Sequence, residues 1–354
     1  LTRYLDEQAD TTYGGFGVGA KGPYGRLLAF YLEQTAIIRD SKHRAMVDKT
    51  LAGILRSLYD PVEGGFFHYA TGRDWTDPRY EKMLYANAAL VVVFDKAHQL
   101  TQDPRYKEAA HATITYLLRT LYDAKQGGFY SSQASDPAYY RLSAQARHTA
   151  VRPPVIRDKV TASNAEAVLA FLTVGQSTGR KDLNDAAFRS LEFLRRHLLT
   201  EKGMYHIYEQ RTGRGLLRGQ LEANAWAALV FLEGHRASGR IVYRQAAEQL
   251  LRYALAELFD PQRGAFVEES NPDDRGPRSK EAPVDGNGVM ALALLRAHQV
   301  TGRGEYLEIG TRILATLGGE VKTVLVDEPD TTPVRKVADT VYYLRAYGQA
   351  LQKP

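Results

Sequence analysis

Apolar residues recur along this chain with the 3.6-residue period of helices, not with the strict alternation of half-buried strands. Between Asp103 and Leu121, Tyr106, Ala110, Ile114, Leu117 and Leu121 fall on one face, while Asp103 is placed to cap and Pro104 suits the first helical turn. The same amphipathic pattern predicts helices over about 43–59, 182–199, 240–258 and 303–316. A second set, over about 24–38, 80–100, 162–177, 220–237, 286–300 and 335–351, includes helices that are apolar nearly all round, and such helices belong inside a fold.

Two punctuation marks organise these helices into repeats. The first is an acidic residue followed by a Gly-Gly-aromatic turn: Asp10 with Gly14-Gly15-Phe16, Asp60 with Gly64-Gly65-Phe66, Asp123 with Gly127-Gly128-Phe129, Glu201 with Gly203-Met204-Tyr205, Asp260 with Gly264-Ala265-Phe266, and a weaker Gly318-Gly319. The second separates the two helices of each pair: Thr101, Thr178-Gly179-Arg180, Ser238-Gly239-Arg240 and Thr301-Gly302-Arg303. Each repeat is therefore a helical hairpin. Six hairpins, each with a more buried and a more amphipathic member, predict an all-α fold, an (α/α)6 toroid of six inner and six outer helices forming one domain over 1–354. Residues 1–8 read as the end of a first outer helix already under way, with more chain expected before it. Residues 131–159 and 270–285 read as long irregular loops, a length that usually carries function.

Aligning the inner helices on the second mark exposes a further repeat. Asn87, Asn164, Asn224 and Asn287 each precede their Thr or Ser by fourteen residues, each between small neighbours, and Asp339 is a plausible copy in the last inner helix. Asparagine is a poor helix-interior residue, so its placement needs a cause. One cause is structural: the amide satisfies backbone groups of the adjoining loop. The other is a ring of amides lining one mouth of the toroid for a polyol ligand. Both stand at this point.

Composition narrows the chemistry. Lysine and arginine number 46 against 41 acidic residues, a net charge of 46 − 41 = +5, with no basic tract, so no nucleic-acid partner is expected. Apolar runs such as 88–94 are far below the roughly 18 residues of a membrane span. Zero cysteines exclude disulfides, thiolate metal sites and a cysteine nucleophile within these residues. The nine histidines show no compact metal-ligand spacing, and the Gly-rich 14–25 follows no strand of a βαβ unit, so neither a metal nor a cofactor is expected. The compartment stays open. His98, His235 and His298 share one position, three residues before the second mark, and read as structural contacts at helix C-termini.

The densest segment runs His68, Tyr69, Arg73, Asp74, Trp75, Arg79, Tyr80, Glu81, Lys82, Tyr85, Asn87. A planar Trp75, a bidentate-capable Arg73, Tyr80 and Tyr85, and carboxylates at a loop-to-helix junction are what holding a sugar requires. An ion-paired, aromatic-packed helix start accounts for them equally. Tyr205, His206, Tyr208, Glu209 and Arg211 form a second cluster, and Asp158, Lys159, Glu268, Glu269 and Asp285 add charge near the same end. Glu81, His68, His206 and Asp158 are the candidate acid/base residues; Glu81 with Asp158, Glu222 or Asp285 are conceivable glycosidase pairs.

These motifs carry a family likeness. Gly64-Gly65-Phe66, Arg73-Asp74-Trp75, Glu81-Lys82-Met83-Leu84-Tyr85 and Gly127-Gly128-Phe129-Tyr130-Ser131 with Gln133 resemble the helical domain of the spermatogenesis-associated, thioredoxin-domain family. Gly14-Gly15-Phe16-Gly17, Lys21, Pro23, Asp158-Lys159-Val160 and Asn164 extend the resemblance over most of the chain. It implies a thioredoxin-like domain upstream, absent from these residues, and an (α/α)6 domain related to six-hairpin glycosidases and the N-acylglucosamine epimerase group. The chain departs from the family pattern where His-Arg-Tyr is Phe67-His68-Tyr69, where a histidine is Arg79, where aspartates are Ala86 and Ala134, and where a tryptophan is Ser163. Three functions follow as alternatives: a carbohydrate-binding domain with catalysis lost, a sugar isomerase, epimerase or glycoside hydrolase using Glu81 with His68 or His206, and a structural or protein-interaction scaffold.

Overall fold

The structure is a computed structural model that describes residues 9–38, 41–268, 282–326, 341–342, 345–346 and 348–350. Residues 1–8, Asp339, Glu269 and the stretch 270–281 lie outside the described residues. The described chain falls into two compact units, the first made of 9–38, 41–123 and 129–157, the second of 124–128 and the described residues from Asp158 onward.

In the first unit, α1 (Gly25–Ile38) and α2 (Ser41–Ser57) form one hairpin, and α3 (Leu84–Thr101) with α4 (Pro104–Tyr116) forms the next, α4 ending in a π-helical turn over Leu117–Leu121. Asp103 caps α4 by accepting from the Arg105 N–H, with Pro104 in the first turn, as the sequence pattern requires. Helices α1 and α3 pack side by side. Short strands fill the connections: β1 (Tyr69–Ala70) pairs antiparallel with β2 (Pro78–Arg79), and β3 (Lys82–Met83), β4 (Ser132–Gln133) and β5 (Val155–Ile156) form a three-stranded sheet in register Lys82↔Gln133 and Ser132↔Ile156. The expected loop at 131–159 therefore holds β4, β5 and two short helices, α5 (Pro137–Tyr140) and α6 (Ala144–Thr149), capped by Asp136 and Ser143.

The second unit repeats the hairpin three times: β6 (Lys159–Val160) leads into α7 (Thr161–Thr178) and α8 (Lys181–His197); β7 (Leu199–Thr200), β8 (Gly203–Glu209) and β9 (Arg214–Arg218) precede α9 (Leu221–Ser238) and α10 (Ile241–Glu257); β10 (Phe259–Asp260) and β11 (Ala265–Phe266) precede α11 (Val284–Thr301) and α12 (Gly304–Val326). The inner members α7, α9 and α11 pack in sequence and carry the buried core, including Phe171, Trp226, Phe231 and Leu294. Their outer partners are amphipathic, burying one face each. Helical residues at 341–342, 345–346 and 348–350 fall within the last inner helix expected from sequence, and the Tyr342 ring meets Trp226 edge-on at 4.8 Å.

Two expectations are corrected. Gly318-Gly319 is not a sixth turn, because both residues lie inside α12, which continues well past the expected end at 316. The fourth turn has a different register: Leu199 pairs with Met204 as Tyr59 pairs with Phe66, so Met204 and not Tyr205 takes the aromatic's place and Thr200, not Glu201, the acid's. With two fewer residues between them the turn closes as a tight hairpin, and the Thr200 hydroxyl donates to the Gly203 carbonyl at 2.7 Å.

The histidine expectation holds. The Nδ1 atoms of His98, His235 and His298 lie 3.0, 3.1 and 2.9 Å from the carbonyls of Asp103, Arg240 and Arg303, tying the end of each inner helix to the start of its outer partner.

Candidate functional site

The Asp-Gly-Gly-aromatic turn is a bonded unit. Asp60 N–H donates to Gly65 O, Gly64 N–H returns to Asp60 O, and the Asp60 side chain accepts from Val62 N–H, with Asp10 repeating the pattern in the first turn. Gly64 and Gly65 take φ of +77° and +81°, where a side chain is strained, and a Cβ on Gly64 would collide with the Ala112 carbonyl.

The asparagines close these turns. Asn87 accepts from Phe66 N–H at 2.7 Å and donates to Phe66 O at 3.0 Å and to Met83 O at 2.8 Å. Asn287 does the same with Phe266 and Pro283. Asn224 accepts from Met204 N–H and donates to Gln220 O, and Asn164 donates to Val160 O. All four are fully buried. The amides of Asn87, Asn224 and Asn287 thus act as strand residues that pair with the turn while holding the start of their own helices, and Asn164 holds the start of its helix, which gives these amides a framework role.

Lys21, Lys82 and Lys159, named in the sequence only as charges or as motif residues, are fully buried beneath the turns. Lys82 donates to Asp60 and to Gly64 O, both at 2.7 Å, with its ammonium 4.6 Å from the centre of the Tyr116 ring and 5.1 Å from that of Tyr140. Burial pulls its pKa down to about 8, against the upward pull of Asp60. Arg147, on α6, reaches across to both Asp60 oxygens at 2.9 Å and also donates to the Tyr140 carbonyl, strapping α5 and α6 over the turn. Lys159 reaches Gly127 O at 2.8 Å and Lys21 reaches Asp10 at 2.9 Å. The available signal was that Lys82 and Lys159 each lie five residues before an aligned asparagine.

In the dense segment the candidates part company. Arg73 is committed to Asp10, Nε to Oδ2 at 2.7 Å and Nη2 to Oδ1 at 3.3 Å. Although burial alone would raise it, these bonds and those from Lys21 and Tyr13 hold the Asp10 carboxyl well below the usual range. Trp75 is fully buried against Gly15 and Gly53, donates from Nε1 to Tyr13 O at 2.9 Å, and takes φ of +71°, so it anchors the β1–β2 connection. Tyr80 stacks on Tyr140 with centroids 5.7 Å apart and meets Phe67 edge-on.

His68, Glu81 and Tyr85 come together. His68 Nδ1 lies 3.3 Å from Glu81 Oε1, and Nε2 lies 2.9 Å from the Tyr85 hydroxyl. The His68 and Glu81 side chains are each 30% exposed, so the group is reachable from solvent. β1, β2 and the first turn of α3 fix its three members.

The other candidates lie in the second unit. His206, on β8, has a buried Nδ1 with no hydrogen-bond partner among the described residues, and burial lowers its pKa. Asp158 Oδ1 accepts from Gln210 N–H at 3.0 Å. Glu268, just after β11, is pushed up to about 7 by burial and by the charge of Glu222, with Asp285 adding to the effect and the Leu221 N–H opposing it. Glu222 and Asp285 lie in the first turns of α9 and α11. Among the described residues no group of three or more histidines and carboxylates is placed to hold a metal, and no helix is long and apolar enough to cross a membrane.

No protein-family model matches the chain. Spermatogenesis-associated protein 20 from Mus musculus is 36% identical over 137 residues, 37% of this chain and 17% of that protein, so the match spans about a sixth of the curated relative. A cellobiose 2-epimerase from Bacteroides fragilis is 28% identical over 96 residues, 27% of this chain and 24% of that protein. Among solved structures, the cellobiose 2-epimerase from Spirochaeta thermophila superposes with a TM-score of 0.79 at 15% identity, covering 99% of this chain and 93% of that one. A D-mannose isomerase gives 0.75 at 12%, and a GH76 alpha-mannanase from Bacteroides thetaiotaomicron 0.70 at 14%, each covering 99% of this chain and 95% of its own. The chain is thus a partial homologue of spermatogenesis-associated protein 20 built on the (α/α)6 toroid fold that sugar epimerases and six-hairpin glycosidases share.

Proposed function

We propose that the chain binds a carbohydrate and moves a proton on it, as a sugar isomerase or epimerase does, with Glu81, His68 and Tyr85 as the relay. The observation that carries this reading is the double engagement of His68, by a carboxylate at 3.3 Å and a phenol at 2.9 Å. With Glu81 accepting the Nδ1–H, the Nε2 lone pair faces the Tyr85 hydroxyl. A substrate hydroxyl that donates to the Tyr85 oxygen passes its proton on as Tyr85 gives its own to Nε2, and Glu81 stabilises the imidazolium so formed.

Opening a cyclic sugar begins with that loss: the anomeric hydroxyl gives up its proton, the carbonyl forms at C1, the ring C–O bond breaks, and the ring oxygen takes up a proton. Transfer of the acidic C2 proton then gives an enediol, which becomes the epimer if the proton returns to the other face of C2 and the ketose if it returns to C1. Hydrolysis needs two carboxylates at about 5 to 9.5 Å across the scissile bond, whereas the partner of Glu81 here is a histidine. The relatives named as an epimerase and an isomerase support the same class. We propose further that residues 1–354 form a single domain, served in a longer protein by a thioredoxin-like domain ahead of it.

The test is proton NMR in D2O with aldoses, disaccharides, uronates and sugar phosphates. Wild type is expected to interconvert one class with deuterium entering at C2 of an epimer or at C1 of a ketose, and His68→Gln to lose both by about 100-fold or more. Turnover of none overturns the reading. Saturable binding without turnover would instead establish a binding domain.

A further inference from the structure

We infer that Arg79 makes the site around His68 selective for anionic sugars, those bearing a uronate carboxylate or a phosphate; the inference rests on the function proposed for that site. Strands β1 and β2 pair with Tyr69 opposite Arg79, and the His68 N–H donates to the Arg79 carbonyl at 3.0 Å. Residues opposite one another on a two-stranded ribbon project to the same face, so the Arg79 side chain leaves the ribbon beside Tyr69. The Tyr69 ring in turn meets the His68 ring edge-on, centroids 5.1 Å apart. One backbone hydrogen bond and one aromatic contact therefore link Arg79 to the relay.

The charges around it set Arg79 apart. In the same segment Arg73 is held by Asp10, Asp74 by Thr76, Asp77 by Thr71, Glu81 by His68 and Lys82 by Asp60. Arg79 is exposed, and among the described residues its guanidinium has no hydrogen bond or ion pair. A second exposed guanidinium, that of Arg141, lies 6.0 Å over the ring of Tyr80, the residue next to Arg79, and adds positive potential to the same stretch. Asp74 and Asp77 keep their charge, since their bonds are to neutral hydroxyls, but among the described residues neither forms an ion pair with Arg79 or Arg141. A planar guanidinium with its five donors uncommitted matches a carboxylate or phosphate bidentately. Here its backbone is fixed by a strand pair next to His68, so the long side chain starts from a set point beside the proton relay.

Steady-state kinetics on matched substrates test this: glucose, glucuronate and glucose 6-phosphate, then mannose, mannuronate and mannose 6-phosphate. Wild type is expected to show kcat/KM about 10- to 100-fold higher for one anionic class than for the neutral parent, the range of a charge-assisted hydrogen-bond pair. Whether uronate or phosphate takes the advantage identifies the source of the anion. Arg79→Gln should raise KM for that substrate and bring the anion-to-neutral ratio close to one, with Arg79→Lys restoring part of it. Turnover with no anionic preference, or a ratio that Arg79→Gln leaves unchanged, overturns the inference while the proposed function stands. Where no sugar is turned over and that function fails, calorimetry with glucuronate and glucose 6-phosphate decides separately: binding lost in Arg79→Gln supports an anion site without chemistry, and absence of binding overturns the site.

Discussion

His68 differs from the other histidines whose bonds are described here. Those at the ends of the inner helices spend Nδ1 on a backbone carbonyl, whereas both nitrogens of His68 meet side chains that can give or take a proton. Glu81 then has a role that stability and chemistry separate. Because the pair is partly open to solvent and longer than an ideal ion pair, it contributes about 1 kcal/mol or less to folding. Glu81→Gln is therefore expected to melt within a few degrees of wild type while kcat falls by about 100-fold or more, since the neutral amide no longer stabilises the imidazolium. Parallel melting and turnover measurements check this, and a loss of about 3 kcal/mol in stability with turnover intact would place Glu81 in the framework instead. Trp75 and Arg73 show why residue type alone does not identify a site: their aromatic plane and fork suit a sugar, yet one is fully buried and the other bound to Asp10. That commitment joins residues 63 positions apart, beyond the reach of local pattern.

The element that repeats is a turn closed by an asparagine from the helix that follows. Removing the amide in Asn87→Ala or Asn287→Ala strands the N–H and C=O of a buried aromatic residue, each costing about 1 to 3 kcal/mol. A loss of about 3 kcal/mol or more is expected by denaturant unfolding for either, and a loss below about 1 would remove the asparagine from the framework. The glycines divide in the same way. Gly64→Ala meets both a left-handed backbone and the Ala112 carbonyl, so about 3 kcal/mol is expected, whereas Gly302→Ala, at φ of +72° with open space around its Cβ, should cost about 1. These elements were legible because the helix period, the turn and the fourteen-residue spacing are local and repeat. The fourth turn differs from its sequence pattern because Gly203-Met204-Tyr205 imitates the motif one residue out of step, and only the pairing of Leu199 with Met204 sets the register. Gly318-Gly319 imitates a turn because two glycines inside a helix leave the same sequence mark as two glycines ending one.

At the scale of the molecule, burial has placed two ionisable groups out of their usual ranges in opposite senses, one in each unit, and pH should separate them. Neither was legible, since the Asp60 partnership of Lys82 and the nearness of Glu222 and Asp285 to Glu268 arise only when distant elements pack. Glu268 titrates near 7 in the folded chain and near 4.5 when unfolded, so between those values the folded state holds a proton that the unfolded state has released. Its contribution to stability is complete below about pH 4.5 and falls as pH rises through 7. Lys82 titrates near 8 folded and 10.5 unfolded, so between those values it is the unfolded state that binds the extra proton, and stability rises with pH across that window. Hydrogen exchange followed peptide by peptide from pH 5 to 10, corrected for intrinsic exchange, keeps the two units apart, as one global midpoint would not. Protection of α9 and α11 is expected to weaken from pH 5 to 7, and Glu268→Gln should abolish that trend. Protection of α3 and of the turn at Asp60 is expected to strengthen from pH 8 to 10, and Lys82→Met should abolish that rise while Arg147 keeps Asp60 paired. Should both trends persist unchanged in the variants, the titrating groups are others; should the two units respond together to each substitution, they open as one cooperative body and the effects would have to be read from the sum.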